Sequence, residues 1–200
     1  MVRSSRNFKS RGLMASSAAR ALIAGIFALI GGLLVTNETP PTNSAEFFTV
    51  DHIADGDTLT VRSGQNNKTK ERVRLLGIDA PEASDNEKAA RDAARARVSI
   101  TNIIKHGASA TAFMRKNLAQ GDSVKIEFDQ QRRDRFGRLL GYVYLKNGKM
   151  LNLEMIDNGF AIPMNIAPNN RYKGEFARAA KEAKRLGRGL WADGSLSMRR

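Results

Sequence analysis

The stretch DGDTLTVRSGQNNKTKERVRLLGIDAPE, residues 55–82, carries the reading of the fold. Residues 58–62 alternate polar and apolar side chains at the two-residue period of a half-buried strand. Residues 63–69 are polar and turn-forming, and the chain resumes as a strand over 71–79. The spacing predicts a β-hairpin centred near residue 66. Upstream, residues 47–53 are rich in strand formers. Downstream, Val124, Ile126 and Phe128 alternate with Lys125, Glu127 and Asp129, and residues 138–145 form a further strand ending at the Asn147-Gly148 turn.

Helices interleave with these strands. Ser109 is positioned to cap a helix carrying Phe113, Met114 and Leu118 and closed by Gly121. A short helix is expected over Leu151 to Asp157, stopping at Asn158-Gly159. Pro168-Asn-Asn170 introduces another, with Phe176, Ala179, Ala180, Ala183 and Leu186 inward and Gly187 at its end. Residues 85–105 carry Ala93, Ala96, Ile100 and Ile103 at helical spacing and read as one added helix. Five short strands with helices between them predict an α+β fold, mainly a five-stranded barrel of the OB type, with three packed helices and one inserted helix.

The chain has 200 residues, with 33 Lys and Arg against 20 Asp and Glu, a formal charge of +13. That balance points to a polyanionic partner. The absence of cysteine excludes thiol catalysis, disulfide frameworks and zinc ribbons. His52 and His106 are the only histidines and read as structural or surface residues, so a histidine-rich metal site is excluded. Chemistry here must run on carboxylates, Arg, Lys, hydroxyls or a hard metal ion.

Five of the basic residues (Arg3, Arg6, Lys9, Arg11 and Arg20) lie in residues 1–35, which hold no acid. Residues 21–35 have no polar side chain. As a helix they would cover about 22 Å, short of a ~30 Å bilayer core. Residues 1–35 therefore read as a signal peptide or an uncleaved signal-anchor, either of which puts the remainder outside the cytoplasm: secreted, periplasmic, or membrane-anchored through this segment. Residues 36–44, with Pro40-Pro41, are a linker, residues 45–192 the folded domain and 193–200 a tail.

Acids gather at two turns, Asp55-Gly-Asp57 and Asp79-Ala-Pro-Glu82, with Arg74 and Arg138 in strands nearby. In the predicted hairpin residue 57 lies opposite residue 75, and Asp79 falls roughly 13 Å further along at ~3.3 Å per residue. Coiling of the strands, helped by Gly77, has to close that gap before the acids can share an ion. If it does, two carboxylates and a backbone carbonyl make a hard oxygen set for Ca²⁺ or Mg²⁺. A third carboxylate can then activate water, and guanidinium groups can hold a phosphodiester.

These three elements together (Asp55-Gly-Asp-Thr-Leu59, Val73-Arg-Leu-Leu-Gly-Ile-Asp-Ala-Pro-Glu82 and Asp134-Arg-Phe-Gly-Arg138) resemble the staphylococcal nuclease (thermonuclease) family. Similarity continues through residues 152–159, Pro168-Asn-Asn170 and Gly189-Leu-Trp191. The resemblance implies an OB barrel with three helices and Ca²⁺-dependent hydrolysis of phosphodiester bonds in DNA, RNA or both, with one ion and a monomeric chain. It implies Asp57, Asp79 and the carbonyl of Ala80 as metal ligands. Glu82 is implied as the residue that orients or deprotonates water, and Arg74 and Arg138 as catalytic phosphate clamps. Asp55 would fix the turn.

The sequence also departs from that pattern. Phe136 stands on the substrate side where the family has a tyrosine, and Met164-Asn-Ile166 replaces aromatic residues of the nucleotide pocket. The segment 82–107 is longer than the family's, and its Arg91, Arg95 and Arg97 are available for phosphate contact. Two other classes compete with the nuclease reading: an exported, noncatalytic OB module that binds nucleic acid, and a protein that lays its basic faces on anionic lipid.

Overall fold

The computed structural model describes residues 45–63 and 68–192. The signal or anchor segment, the linker, the tip of the predicted hairpin and the tail lie outside the described residues. Among the described residues no helix is long and apolar enough to cross a membrane.

Five strands close into a barrel in the order β1–β2–β3–β6–β5: β1 Ala45–Asp55, β2 Thr58–Ser63, β3 Thr69–Leu75, β5 Ser123–Glu127 and β6 Leu139–Tyr144. The predicted hairpin is β2–β3, with Ser63 opposite Thr69 and Thr58 opposite Arg74. β1 is longer than the strand read from sequence because it serves two partners. Residues 45–49 pair with β5, and residues 49–55 pair with β2 across two register shifts. Such irregularities bend a strand enough to turn the barrel's corner. Closure comes from parallel pairing of β3 with β6, Val73 to Leu75 against Leu139 to Gly141. Cross-strand neighbours Leu59–Val73 and Ile126–Val143 share a face and are fully buried.

Four α-helices among the described residues pack around the barrel: α1 Glu87–Ala96, α2 Ile100–Asn117, α3 Leu151–Asp157 and α4 Lys173–Arg185. The short strands β4, Ile78–Asp79, and β7, Ile162–Pro163, pair with each other outside the barrel. The fold class predicted from sequence holds.

Two helix assignments are corrected. The inserted segment is not one helix but holds α1 and the start of α2, because Arg97 takes a left-handed conformation (φ 58°) and its N–H closes α1 on Ala93 and Ala94. Ser99 then caps α2 by accepting from Asn102 N. Ser109, read as a cap, sits inside α2 and donates to Lys105 O. Ile103, Gly107, Ala110 and Met114 form one buried stripe along α2, and burying that stripe keeps the chain helical through Ser109. On α4, Phe176, Ala179 and Ala183 are buried as expected, but Leu186 is 44% exposed. It lies past the last helical turn, where the chain leaves toward Gly187.

α2 lies directly on the two acidic turns, and glycine permits the approach. A Cβ on Gly107 would stand 2.2 Å from Glu82 O, and one on Gly56 2.7 Å from the Ala110 Cβ and 2.8 Å from the Ala80 Cβ. Asn152 of α3, wholly buried, stitches three segments together. Its Oδ1 accepts from Val143 N at 2.9 Å, and its Nδ2 donates to Leu76 O at 2.8 Å and Gly141 O at 3.3 Å. Replacing it strands buried polar backbone next to the β3–β4 turn. Asn152→Leu is expected to lower unfolding stability by about 2–3 kcal/mol, read from the urea midpoint at unchanged slope.

Candidate active site

Gly77 is where the predicted 13 Å gap disappears. Its φ of +77° turns the chain out of β3, and a Cβ there would stand 2.3 Å from the Phe176 ring. The chain continues into β4, where Asp79 pairs with Ile162 instead of running on along the barrel. Asp79 is thereby folded back toward the hairpin.

Arg74 joins the two turns. Its Nη2 lies 3.0 Å from Asp57 Oδ2 and 3.3 Å from Asp79 Oδ1, and its Nη1 donates to Leu75 O at 3.1 Å. Arg74 is only 6% exposed, so its charge depends on these partners. Asp57 is held from all sides: Thr58 Oγ1 donates to Oδ1 at 3.0 Å and Ala80 N donates to Oδ2 at 3.1 Å. Asp55 Oδ1 accepts from Asp57 N at 3.1 Å and fixes the turn, as expected from sequence.

Glu82 lies beyond Pro81. Its Oε2 accepts from Asn86 Nδ2 at 2.9 Å, and the Oδ1 of the same Asn86 caps α1 through Ala89 N. Arg138, immediately before β6, pairs through Nε with Asp134 Oδ2 at 2.7 Å. Phe136 is 69% exposed, and the Arg135 and Arg138 guanidinium groups lie 4.7 and 5.6 Å from its ring centroid. Asp57, Arg74, Asp79, Glu82, Phe136 and Arg138 all line one open cleft of about 700 Å³. Met164 and Ile166 line it where aromatic residues would be expected. Asn169 holds that wall by a two-way bond with the Gln131 backbone.

The sequence reading missed two further residues of the cleft, Lys88 and Asp92 on α1. Lys88 Nζ stands 3.4 Å from Asp79 Oδ1, 3.2 Å from Ala80 O, 3.1 Å from Glu82 Oε1 and 3.3 Å from Asp92 Oδ2. The available signal was their i,i+4 spacing beside the buried Ala89 and Ala93. Arg91 and Arg95 also line the cleft, whereas Arg97 ends the helix instead.

Burial raises the Asp79 pKa against the opposing pull of Lys88 and Arg74. Burial disfavours the Lys88 charge, but Asp79, Glu82 and Asp92 together hold its pKa above the usual lysine value. Among the described residues no group of three or more acid, His or Cys side chains is spaced to ligate one metal ion. The donor chemistry nonetheless fits a hard cation: side-chain and carbonyl oxygens of Asp79, Ala80, Glu82 and Asp92 already surround a positive charge.

Asp55 is pushed up to about 6, first by burial and then by the neighbouring Asp57 carboxylate. A carboxyl raised in the folded state stabilises the fold fully below its ordinary pKa near 3.8. That contribution is lost as pH rises through 6. Asp55→Asn keeps an acceptor for Asp57 N without the charge. Its melting temperature relative to the unaltered chain is expected to rise between pH 4 and pH 7; a constant difference across that range contradicts the assignment.

Comparison with known proteins adds an independent line. A family profile described as staphylococcal nuclease homologue matches residues 72–193. Endonuclease YhcR of Bacillus subtilis (strain 168) is 31% identical over 162 residues, which is 80% of this chain but 12% of that protein. The thermonuclease of Staphylococcus intermedius is 29% identical over 172 residues, covering 86% of this chain and 91% of the relative. The thermonuclease of Staphylococcus hyicus is 25% identical over 186 residues, covering 87% and 99%.

Proposed function

We propose that this chain, which belongs to the staphylococcal nuclease family and is a nuclease-type enzyme, is a Ca²⁺-dependent, sugar-nonspecific nuclease that hydrolyses phosphodiester bonds of DNA, RNA or both with one bound ion. The observation that carries this reading is the single guanidinium of Arg74 drawing Asp57 and Asp79 together in the cleft that also holds Glu82 and Arg138. Asp57, Asp79 and the Ala80 carbonyl would hold the ion. When bound, it supplies Lewis-acid charge to the scissile phosphate and to the attacking water.

The remaining steps belong to the chain's own residues. Arg74, fixed by three contacts, presents a positive floor to the phosphate. The Asp134 pairing engages only Nε of Arg138, which leaves its two Nη groups for a second phosphate contact as charge builds on the equatorial oxygens. Glu82 takes the proton of the water whose oxygen bonds to phosphorus as the bond to the leaving sugar oxygen breaks. Phe136 offers an exposed ring at the rim, in place of a hydroxyl.

The expected result with the full chain and single-stranded DNA is cleavage that needs Ca²⁺, stops with chelator and falls by about 10²-fold or more in Glu82→Gln, while DNA binding persists. Binding with no cleavage in Ca²⁺, Mg²⁺ or Mn²⁺ would select the noncatalytic OB module instead. One observation favours that second reading: Lys88 occupies the acidic cluster. Exposed cationic groups on the cleft wall, Arg91, Arg95 and Arg135, suit a nucleic acid under either reading.

Residues 1–35 are assigned as a signal peptide or membrane anchor that places the domain at 45–192 outside the cytoplasm, with 36–44 as linker and 193–200 as tail. The assignment rests on the basic flank and apolar run. Deleting residues 1–35 is expected to leave the rate of DNA cleavage unchanged. A truncated chain that melts normally but does not cleave would show that the segment does more than direct the protein.

A further inference from the structure

The inserted helix brings to the site a cation of its own. Lys88 Nζ is within 3.4 Å of four oxygens, and two of them, on Asp79 and Ala80, belong to groups expected to hold the metal. An ammonium has three protons to donate, so four oxygens around it form a cation shell more than a set of directed hydrogen bonds. The spacings are those of an ammonium, whereas Ca²⁺ draws oxygens to about 2.3–2.6 Å. Ammonium and ion therefore compete for the same space.

The helix that carries Lys88 is anchored. Ala89 and Ala93 are buried against Ile103 and Leu190, and Asn86 ties the first turn of α1 to Glu82. The lysine side chain is the movable part: it is 34% exposed and hangs on a flexible four-carbon stem. Charge counting agrees. The four carboxylates of Asp57, Asp79, Glu82 and Asp92 face the Arg74 and Arg95 guanidinium groups and the Lys88 ammonium, so moving Lys88 out leaves a formal charge of −2 for a divalent ion to balance. If Lys88 swings out, Asp92 is left with a carboxylate oxygen facing the space the ammonium held.

We propose that the Lys88 ammonium is a built-in counter-cation that a divalent ion must displace from the oxygens of Asp79, Ala80, Glu82 and Asp92, so that the inserted helix sets the metal affinity of the site and keeps it closed when the ion is scarce. This deepens the metal-dependent reading above and rests on it for the position of the ion. Asp92 becomes an added acidic neighbour of the ion, supplied by a helix rather than by the barrel.

The test uses the full chain, stripped of metal with chelator and titrated with Ca²⁺ by calorimetry, beside Lys88→Met. Removing one ammonium from among three carboxylates is expected to tighten Ca²⁺ binding by about tenfold or more. Equal or weaker binding by Lys88→Met, or no binding by either protein, overturns the proposal. A second measurement needs no variant. In the unaltered chain, acylation of Lys88 by an amine-reactive ester, followed by mass spectrometry, is expected to be slow without Ca²⁺ and several-fold faster at saturation. Ca²⁺ binding with unchanged Lys88 labelling overturns the displacement. Tightened binding in Lys88→Met without DNA cleavage would end the nuclease reading and leave this inference standing. Cleavage with unchanged affinity would do the reverse.

Discussion

A buried guanidinium shared by two carboxylates is the constraint from which the site follows. Arg74 sits where the barrel leaves almost no water, and an unpaired charge there costs several kcal/mol, on the order of 3–5 when one partner of a buried pair is removed. Its partners come from different turns, Asp57 before β2 and Asp79 in β4, so satisfying one charge draws two loops together. The Ala80 N–H bond to Asp57 then ties the second turn to the first. The same arrangement that stabilises the fold leaves both acids lining the cleft.

The helical layer makes that convergence possible. α2 can press on both turns because its contact positions are Gly107 and Ala110, and Gly56 faces it from the turn. A larger side chain at Gly107 would collide with the Glu82 backbone and displace it. α1, held by Ala89 and Ala93, brings charge of both signs to a site that the barrel alone would leave acidic. Lys88 and Asp92 thus belong to the electrostatics of the site, although neither lies in the three motifs that first identified it.

Local patterns anticipated much of this. The pairing of Thr58 with Arg74 follows from the hairpin spacing, because a short polar turn between two alternating runs leaves little freedom of register. The extent of α3 was readable from Asn158-Gly159. The position of Asp79 was not, since β4 is two residues long and pairs with residues 162 and 163, far along the chain. Ser109 misled because a serine before an apolar run has the chemistry of a cap, but Ser99 has it too and the buried stripe of α2 begins at Ile103. The cleft's resident cation was hidden for a related reason. Lys88 and Asp92 look like an ordinary exposed i,i+4 pair until the other side of that helix face is known.

Residue chemistry and short-range spacing were enough to predict the barrel, the acidic and basic residues that line the cleft, and the family they resemble. These depend on backbone periodicity and on turn geometry, which act over a few residues. Tertiary structure alone decided which charges meet: that Arg74 bridges Asp57 and Asp79, and that Lys88 faces the same oxygens. Coulombic pairing acts between groups close in space, and residues close in space here are brought together by a glycine turn, a two-residue strand and a helix with no bulk at its contact face.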